Sequence, residues 1–427
     1  MTTTATYNKS AWLGNYPEHW QVLRIKNIFS EIEDRSTSGN EELLSVSHYT
    51  GITLKRDSLE NEDDFISNAE TLEGYKRVAK GDLVINIMLA WNGSLGISPF
   101  DGITSPAYCV YRTKENNNSE YFGYLFATNL LKTEFRKKST GIIDSRLRLY
   151  SDKFFSIFSV VPPVEEQNKI VEYIKTQSQK INHFIAKKQQ FIALLKEQRQ
   201  SVINEAVTKG INKKAKLKDS GIKWLGNIPE HWEVRRAKTF SNIFVPERNK
   251  PELNDYQEGL PWITSEFITE EKLDIDKIKF FVSENAITDA GIRILKKNSV
   301  IASCVGSFNI AIVIPFDCVI NQQLQAFIPQ NIDPEFLQYS ILNANAFFES
   351  NATQTTLKYV NKDKFGCMPI AYPPLSEQTQ IINHIKTETA TIDTAIAKTE
   401  KEIELIKEYK EAMIAEAVMG KVNYNKQ

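Results

Sequence analysis

The sequence has few cysteines and histidines, and neither residue type is clustered. Its five histidines are scattered along 427 residues, and its four cysteines include no C-x-x-C pair. Structural zinc sites and disulfide frameworks need closely spaced ligands or paired cysteines, so the sequence predicts neither of them. We therefore expect a protein of a reduced, cytoplasmic compartment.

Long hydrophobic runs and an excess of one charge are also missing. No apolar run approaches the ~20 residues that a membrane-spanning helix needs, and residues 1–12 lack the apolar stretch of a secretory signal. The 52 basic and 53 acidic residues leave a net charge of −1. Composition alone therefore does not indicate a nucleic-acid-binding protein.

The phosphate-binding and metal-binding motifs of common enzymes are absent. The sequence contains no G-x-x-x-x-G-K-[ST], no H-E-x-x-H and no G-x-G-x-x-G after a predicted strand. His19 and His231 stand beside Trp20 and Trp232, but no nucleophile recurs next to them, so we interpret them as packing or capping residues. We expect neither catalysis nor a bound cofactor in this chain.

The chain is instead an internal duplication. WLGNYPEHW at 12–20 matches WLGNIPEHW at 224–232 in eight of nine positions, at an offset of 212 residues. VVPPVEEQNKIVEYIK at 160–175 likewise matches AYPPLSEQTQIINHIK at 371–386. The protein therefore consists of two copies of one unit, and a fold with a pseudo-two-fold axis is predicted.

Each copy divides into two regions. The first has short Val- and Ile-rich runs bounded by Gly, Asn and Ser, which are typical of strands, and helical stretches between them. This pattern predicts an α+β (mixed α/β) globule. In the second region no Gly or Pro occurs from Glu165 to Thr208, and apolar residues recur with a period near 3.5, as in a coiled coil.

A long helix with one apolar seam needs a partner, and the equivalent helix of the other copy is the obvious one. Pairing about a two-fold axis makes the two helices antiparallel. The predicted organisation is a first globule at 1–161, a first long helix at 162–210, a second globule at 211–372 and a second long helix at 373–422.

These motifs resemble a known family. The order W-L-G-x-[IY]-P-x-H-W, then a variable globule, then P-P-x-x-E-Q opening a long helix, all duplicated, is similar to the specificity subunit of Type I restriction–modification systems. The resemblance covers essentially the whole chain. It implies that each globule is a DNA target recognition domain and that the two helices form an antiparallel coiled coil between them.

The resemblance also implies the partners and cofactors. It predicts double-stranded DNA, two methyltransferase subunits and restriction/translocase subunits as partners. S-adenosylmethionine, ATP and Mg are then expected in those partner subunits and none of them in this chain. Because 31–79 and 243–295 scarcely align, the two globules should read different half-sites of a bipartite, asymmetric target. A coiled-coil scaffold that does not read DNA remains the alternative.

Given this resemblance, basic stretches and glycine loops are the candidates for DNA contact, because phosphate contacts position a protein and base contacts specify the sequence. Solvated helix faces and tight hairpin turns remain the alternatives for them. In the first globule the candidates are Ser94, Lys132, Arg136, Lys137, Lys138, Arg146 and Arg148. In the second globule they are Arg293, Lys296, Lys297, Ser307, Asn309, Lys358 and Lys362.

Residues that repeat in both copies could bind two copies of one partner. The candidates lie at the start of each long helix, where simple packing of the helix start is the alternative. They are Glu166, Gln167, Ile170 and Ile174 in the first copy, and Glu377, Gln378, Ile381 and Ile385 in the second.

Overall fold

A computed structural model describes residues 11–47, 51–55, 71–114, 117–269, 272–353 and 358–422. Within these ranges the chain forms two units, one of residues 1–188 with 401–427 and one of residues 189–400. Each unit contains one globule together with about half of each long helix. The predicted boundaries at 161, 210 and 372 follow the sequence repeat, whereas the units change in the middle of the helices, near 188 and 400.

The first globule is built on a four-stranded antiparallel sheet. In spatial order its strands are Phe29–Glu31, Tyr108–Thr113, Leu83–Asn86 and Leu95–Ile97. Three two-stranded antiparallel pairs accompany this sheet: Gln21–Arg24 with Phe158–Val161, Leu44–Ser47 with Gly51–Leu54, and Lys76–Val78 with Gly102–Thr104. The α-helices of this globule are Ile25–Ile28, Ser119–Phe126, Asn129–Lys138 and Ser151–Ser156.

The second globule repeats this sheet. Its four strands, in spatial order, are Ser241–Phe244, Leu324–Pro329, Val300–Ser303 and Ala311–Val313. The pairs Leu217–Asp219 with Asn227–Pro229, Glu233–Arg236 with Pro369–Tyr372, and Ile268–Thr269 with Lys272–Leu273 are antiparallel. Its short helices are Glu284–Ala290, Pro334–Asn343, Asn345–Asn351 and Lys362–Gly366.

The two globules differ in the segments that do not align. In the second, Leu260–Ile263 pairs with Val319–Ile320 in parallel and with Phe281–Val282 in antiparallel fashion. In the first, the parallel pairing is reduced to a single bridge between Leu43 and Ile103, and Leu44–Ser47 pairs with Gly51–Leu54. The shared frame and the dissimilar insertions agree with the sequence comparison of the two copies.

The long helices run from Val164 to Lys209 and from Leu375 to Val418. Each follows a Pro-Pro pair, which suits a helix start because proline has no N–H that would need a partner there. Gly210 and Gly420 follow the helix ends with positive φ of 70° and 69°, a conformation typical of a glycine C-cap.

In each unit the two long helices pack antiparallel, as predicted. Lys188 pairs with Glu402 at 2.7 Å in the first unit, and Arg199 pairs with Asp393 at 2.8 Å in the second. The apolar seam also includes two buried threonines, Thr389 and Thr399, which a pattern of apolar residues does not identify. Their hydroxyls donate to carbonyl oxygens four residues earlier, which explains how they can be buried in a seam.

Each unit has its own hydrophobic core, which includes helix ends from both copies. In the first unit Ala417 and Val418 join Trp20 and Ile170 in one cluster. In the second unit Ala206 and Val207 join a cluster that contains Trp232. The last turn of each long helix therefore belongs to the core of the globule encoded by the other copy.

Candidate nucleic-acid interface

The basic helix of the first globule packs against the loop that follows strand Leu83–Asn86. The guanidinium of Arg136 lies 4.9 Å from the centre of the Trp91 ring. A Cβ placed on Gly93 would lie 2.7 Å from Cε of Lys132, so glycine gives that side chain room to cross the loop. The cationic side chains of Lys132 and Arg136 therefore lie against this loop.

A short hairpin, residues 140–148, extends this surface. Thr140 and Arg148 exchange two backbone hydrogen bonds of 2.9 Å, and Arg136 pairs with Asp144 at 2.5 Å. Gly141 has φ of +146°, and a Cβ there would lie 2.5 Å from the carbonyl oxygen of Arg146, so the turn requires glycine. The hairpin places Arg146 and Arg148 beside the basic helix.

The remaining members of the predicted first-globule set differ in exposure. Lys137 and Lys138 each approach the buried carboxylate of Glu134 at 4.0 Å, while 64% and 42% of their own side chains stay exposed. Ser94 is 1% exposed. Its side chain is therefore not at the surface where the sequence placed it, although DNA contact through its backbone stays a prediction.

In the second globule, the loop after the equivalent strand likewise contacts a later segment that bears lysines. The N–H of Gly306 donates to the carbonyl oxygen of Lys358 at 2.9 Å, which joins the loop after strand Val300–Ser303 to residues 358–360. Ser307 donates to the side chain of Asn309 at 2.6 Å, and Lys358 pairs with Glu349 at 2.5 Å. Lys362 begins the next short helix and is exposed.

Arg293, Lys296 and Lys297 do not join this group. They precede strand Val300–Ser303, whereas Ser307 and Asn309 follow it, so the strand separates the two sets. Lys296 and the N–H of Lys297 bind the Asp317 carboxylate at 2.8 and 2.9 Å. These hydrogen bonds, that of Lys296 first, hold the pKa of Asp317 below its usual value.

Arg293 has an internal role that the sequence did not indicate. Its guanidinium binds Glu247 and the carbonyl oxygen of Val245, and it lies 4.9 Å from the centre of the Phe244 ring. Burial would raise the pKa of Glu247, but the hydrogen bonds from Arg293 outweigh it and lower that pKa. Arg293 thus ties the 244–247 segment to its own loop.

The start of each long helix is fastened to its globule by the Glu of P-P-x-x-E-Q. Glu166 accepts hydrogen bonds from Nε1 of Trp20 at 2.8 Å and from Nε2 of His19 at 2.7 Å. Glu377 accepts the equivalent bonds from Trp232 at 3.0 Å and His231 at 2.9 Å. We call each Trp–His–Glu group the helix-start latch. It explains why the two repeated motifs occur together although ~145 residues separate them.

The Gln of the same motif completes the attachment. Gln167 accepts the N–H of Asn118 at 2.8 Å and donates to the carbonyl oxygen of Pro162 at 2.8 Å. Gln378 likewise accepts the N–H of Asp333 and donates to Pro373, both at 2.9 Å.

The eight helix-start residues are mostly covered by their own globules, which fits the alternative of helix-start packing. Both glutamines are fully buried, and the two glutamates are largely covered, with about a fifth to a quarter of each side chain exposed. The four isoleucines, Ile170, Ile174, Ile381 and Ile385, are 0% exposed because they form part of the cores. Partner binding near them stays a prediction, but their own side chains serve internal packing.

Three residues of this candidate surface were not among the candidates chosen from the sequence: Trp91, Gly141 and Ile142. A signal for the glycine existed, because it interrupts the densest basic run between Lys138 and Arg146. The ring stacking of Trp91 on Arg136 had no sequence signal, since 45 residues separate them and only the packing of helix on loop brings them together.

Comparisons with known proteins agree with the duplicated architecture. The model of the Type I restriction modification DNA specificity domain matches twice, at residues 17–194 and 229–405. The MjaVIII specificity subunit of Methanocaldococcus jannaschii, from a Type I restriction enzyme, is 25% identical over 95% of this chain and 93% of its own. The EcoKI specificity subunit of Escherichia coli (strain K12) is 20% identical over 96% and 90%.

Solved structures show the same fold. A chain from a structure of a type I R-M system, described for its complex assembly and conformational transition, aligns with a TM-score of 0.68 at 14% identity, covering 96% of this chain and 100% of its own. The HsdS subunit of Thermoanaerobacter tengcongensis aligns with a TM-score of 0.52 at 15% identity, covering 99% and 100%. Among the described residues, no helix is long and apolar enough to span a membrane.

A duplicated α+β globule with two long antiparallel helices defines a two-domain DNA specificity architecture. The chain belongs to the Type I restriction modification DNA specificity domain family and carries two copies of that domain.

Proposed function

We propose that this chain is the non-catalytic specificity subunit of a Type I restriction–modification complex that methylates adenine. In this proposal each globule reads one half of a bipartite, asymmetric DNA target. The chain also holds two methyltransferase subunits and the restriction/translocase subunits. These partners supply S-adenosylmethionine, ATP and Mg, none of which binds this chain alone, and the complex works in the cytoplasm.

One observation carries the DNA-reading part of the proposal. In both globules, the loop that follows a central sheet strand meets a second loop or helix bearing cationic side chains, at corresponding places of the repeat. The flanking segments 31–79 and 243–295 scarcely align in sequence. A common frame with different reading surfaces is what an asymmetric target requires.

Two experiments test the proposal. Sequencing the methylated bases of a host with and without this gene should reveal one bipartite adenine-methylated sequence that disappears with the gene. Binding of the assembled complex to DNA should fall steeply with salt, with a slope of about −0.9 per phosphate contact. Lys132→Ala and Arg136→Ala should each reduce that slope by about one.

The alternative, a coiled-coil scaffold without DNA reading, predicts different results. It gives no gene-dependent methylated sequence and no salt-dependent DNA binding when all partners are present. A third possibility is a methyltransferase that acts alone. Titration calorimetry of the purified chain with S-adenosylmethionine tests it. Measurable binding would contradict a subunit without a cofactor site.

A further inference from the structure

The 140–148 hairpin of the first globule carries an apolar side chain at its tip that no described residue of its own unit covers. Ile142 is 99% exposed, and its neighbour Ile143 is 52% exposed. An isolated exposed apolar residue is ordinary on a protein surface. Ile142 is unusual in its position, because it lies at the tip of an anchored turn among cationic side chains.

The turn is anchored at its base. Leu147 and Leu149 are buried at 8% and 1% exposure and fix the chain as it leaves the turn, and the N–H of Leu149 donates to the carbonyl oxygen of Ile87 at 2.9 Å. The ion pair of Arg136 with Asp144 ties the turn to the basic helix. A contact made through a fixed turn costs little conformational entropy on binding.

The charge around the tip selects the kind of partner. Between residues 129 and 150 there are six cationic side chains against two carboxylates, a local net charge of +4. Trp91 adds an aromatic face under Arg136. A surface of this charge complements an anionic polymer such as DNA. The apolar tip within it complements the uncharged part of DNA, the bases.

We propose that Ile142 is a specificity-determining residue that makes an apolar contact with a base in the first half-site, while the cations around it bind phosphates. This inference rests on the proposed function. Apolar side chains contribute to base readout by contacting the thymine methyl group or by entering a base step. The equivalent loop of the second globule includes residues outside the described ranges, so the inference concerns the first globule alone.

The test uses the complete complex with its methyltransferase partners and a DNA library in which both half-sites are randomised. The variant is Ile142→Ser, and the control is Ile275→Ser, which removes another exposed isoleucine, 57% exposed, from the second globule. Base preferences are read by sequencing the bound DNA at two salt concentrations.

For Ile142→Ser we expect discrimination at one or two positions of the first half-site to fall roughly 5- to 150-fold. At about 1.4 kcal/mol per factor of ten this is ~1–3 kcal/mol, the usual cost of one mismatched base pair. The salt slope should not change, because no charge is lost. Preferences in the second half-site should stay as in the wild type. Ile275→Ser should leave the first half-site unaltered.

Three outcomes would overturn the inference. They are unchanged base preferences, a uniform loss of affinity for every sequence, and loss of a methyltransferase subunit in native mass spectrometry, which would make the tip a protein contact. Failure of the proposed function looks different, because the wild-type complex would then show no sequence preference at all. Misfolding is checked by the thermal unfolding of the variant, which a 99% exposed side chain should not alter.

Discussion

Replacing the carboxylate of one helix-start latch should loosen one unit and leave the other intact. In Glu377→Ala the Trp232 indole loses the acceptor of its N–H, and Trp232 is 0% exposed. A buried donor left without a partner costs ~1–3 kcal/mol. The His231 side chain is 54% exposed, so the loss of its pair adds only ~0–1 kcal/mol.

The expected destabilisation is therefore about 2 kcal/mol, which corresponds to roughly 30-fold faster opening at about 1.4 kcal/mol per factor of ten. Glu377→Gln should cost less, about 1 kcal/mol, because its amide oxygen still accepts from the indole, although without charge. Both values refer to local opening of the helix start rather than to global unfolding of a two-unit chain.

Hydrogen exchange followed by mass spectrometry measures this opening segment by segment. In Glu377→Ala, peptides from 225–236 and 375–390 should exchange faster, while those from 13–24 and 164–178 act as internal controls. Glu166→Ala is the matched variant and should give the reverse pattern, because its latch has the same partners. Unchanged exchange in all four segments, or equal acceleration in both units, would refute the role given to the latch.

Further predictions concern backbone strain, pH and modular reading. Gly259→Ala should destabilise the second unit clearly more than Gly221→Ala in thermal unfolding, because a Cβ on Gly259 would lie 2.1 Å from a carbonyl oxygen, whereas Gly221 faces open space and carries only the left-handed penalty of ~1–2 kcal/mol. Equal losses would exclude the clash. The pKa of Glu247 is lowered in the folded state, so its contribution to stability is present above the ordinary value of 4.5 and is lost as the pH falls further. Arg293→Gln should flatten that acid-side loss, and an unaltered pH profile would contradict the assignment. Replacing residues 1–161 by the first globule of another family member should change one half of the methylated sequence, and a change in both halves would contradict independent reading.

Much of the architecture could be predicted because it rests on local pattern. The duplication is evident from the repeated sequence motifs. The long helices are predicted by the absence of Gly and Pro and by the 3.5-residue period. Helix starts after Pro-Pro and helix ends at Gly210 and Gly420 depend on backbone chemistry that acts within a few residues. The structure places both helices within the predicted ranges.

The candidate site was predicted only in part, because exposure depends on contacts that are distant in sequence. The basic stretch around Lys132 and Arg148 is evident in the sequence. The burial of Ser94 and the separation of Lys296 from Ser307 by a strand could not be predicted from it. For the helix-start glutamates the repeat indicated partner binding or packing, but not the hydrogen bonds that they accept from Trp20 and Trp232.

Sequence alone thus determined the duplicated units, the two seamed helices and the family resemblance, because each is encoded in short-range order or in repetition. Tertiary structure decided what the repeated residues do. Strand Gln21–Arg24 pairs with Phe158–Val161, and this pairing brings Trp20 close to Glu166, 146 residues further along the chain. Hydrogen bonds of this kind join residues that become neighbours only when the sheet folds. A local sequence pattern therefore cannot predict them.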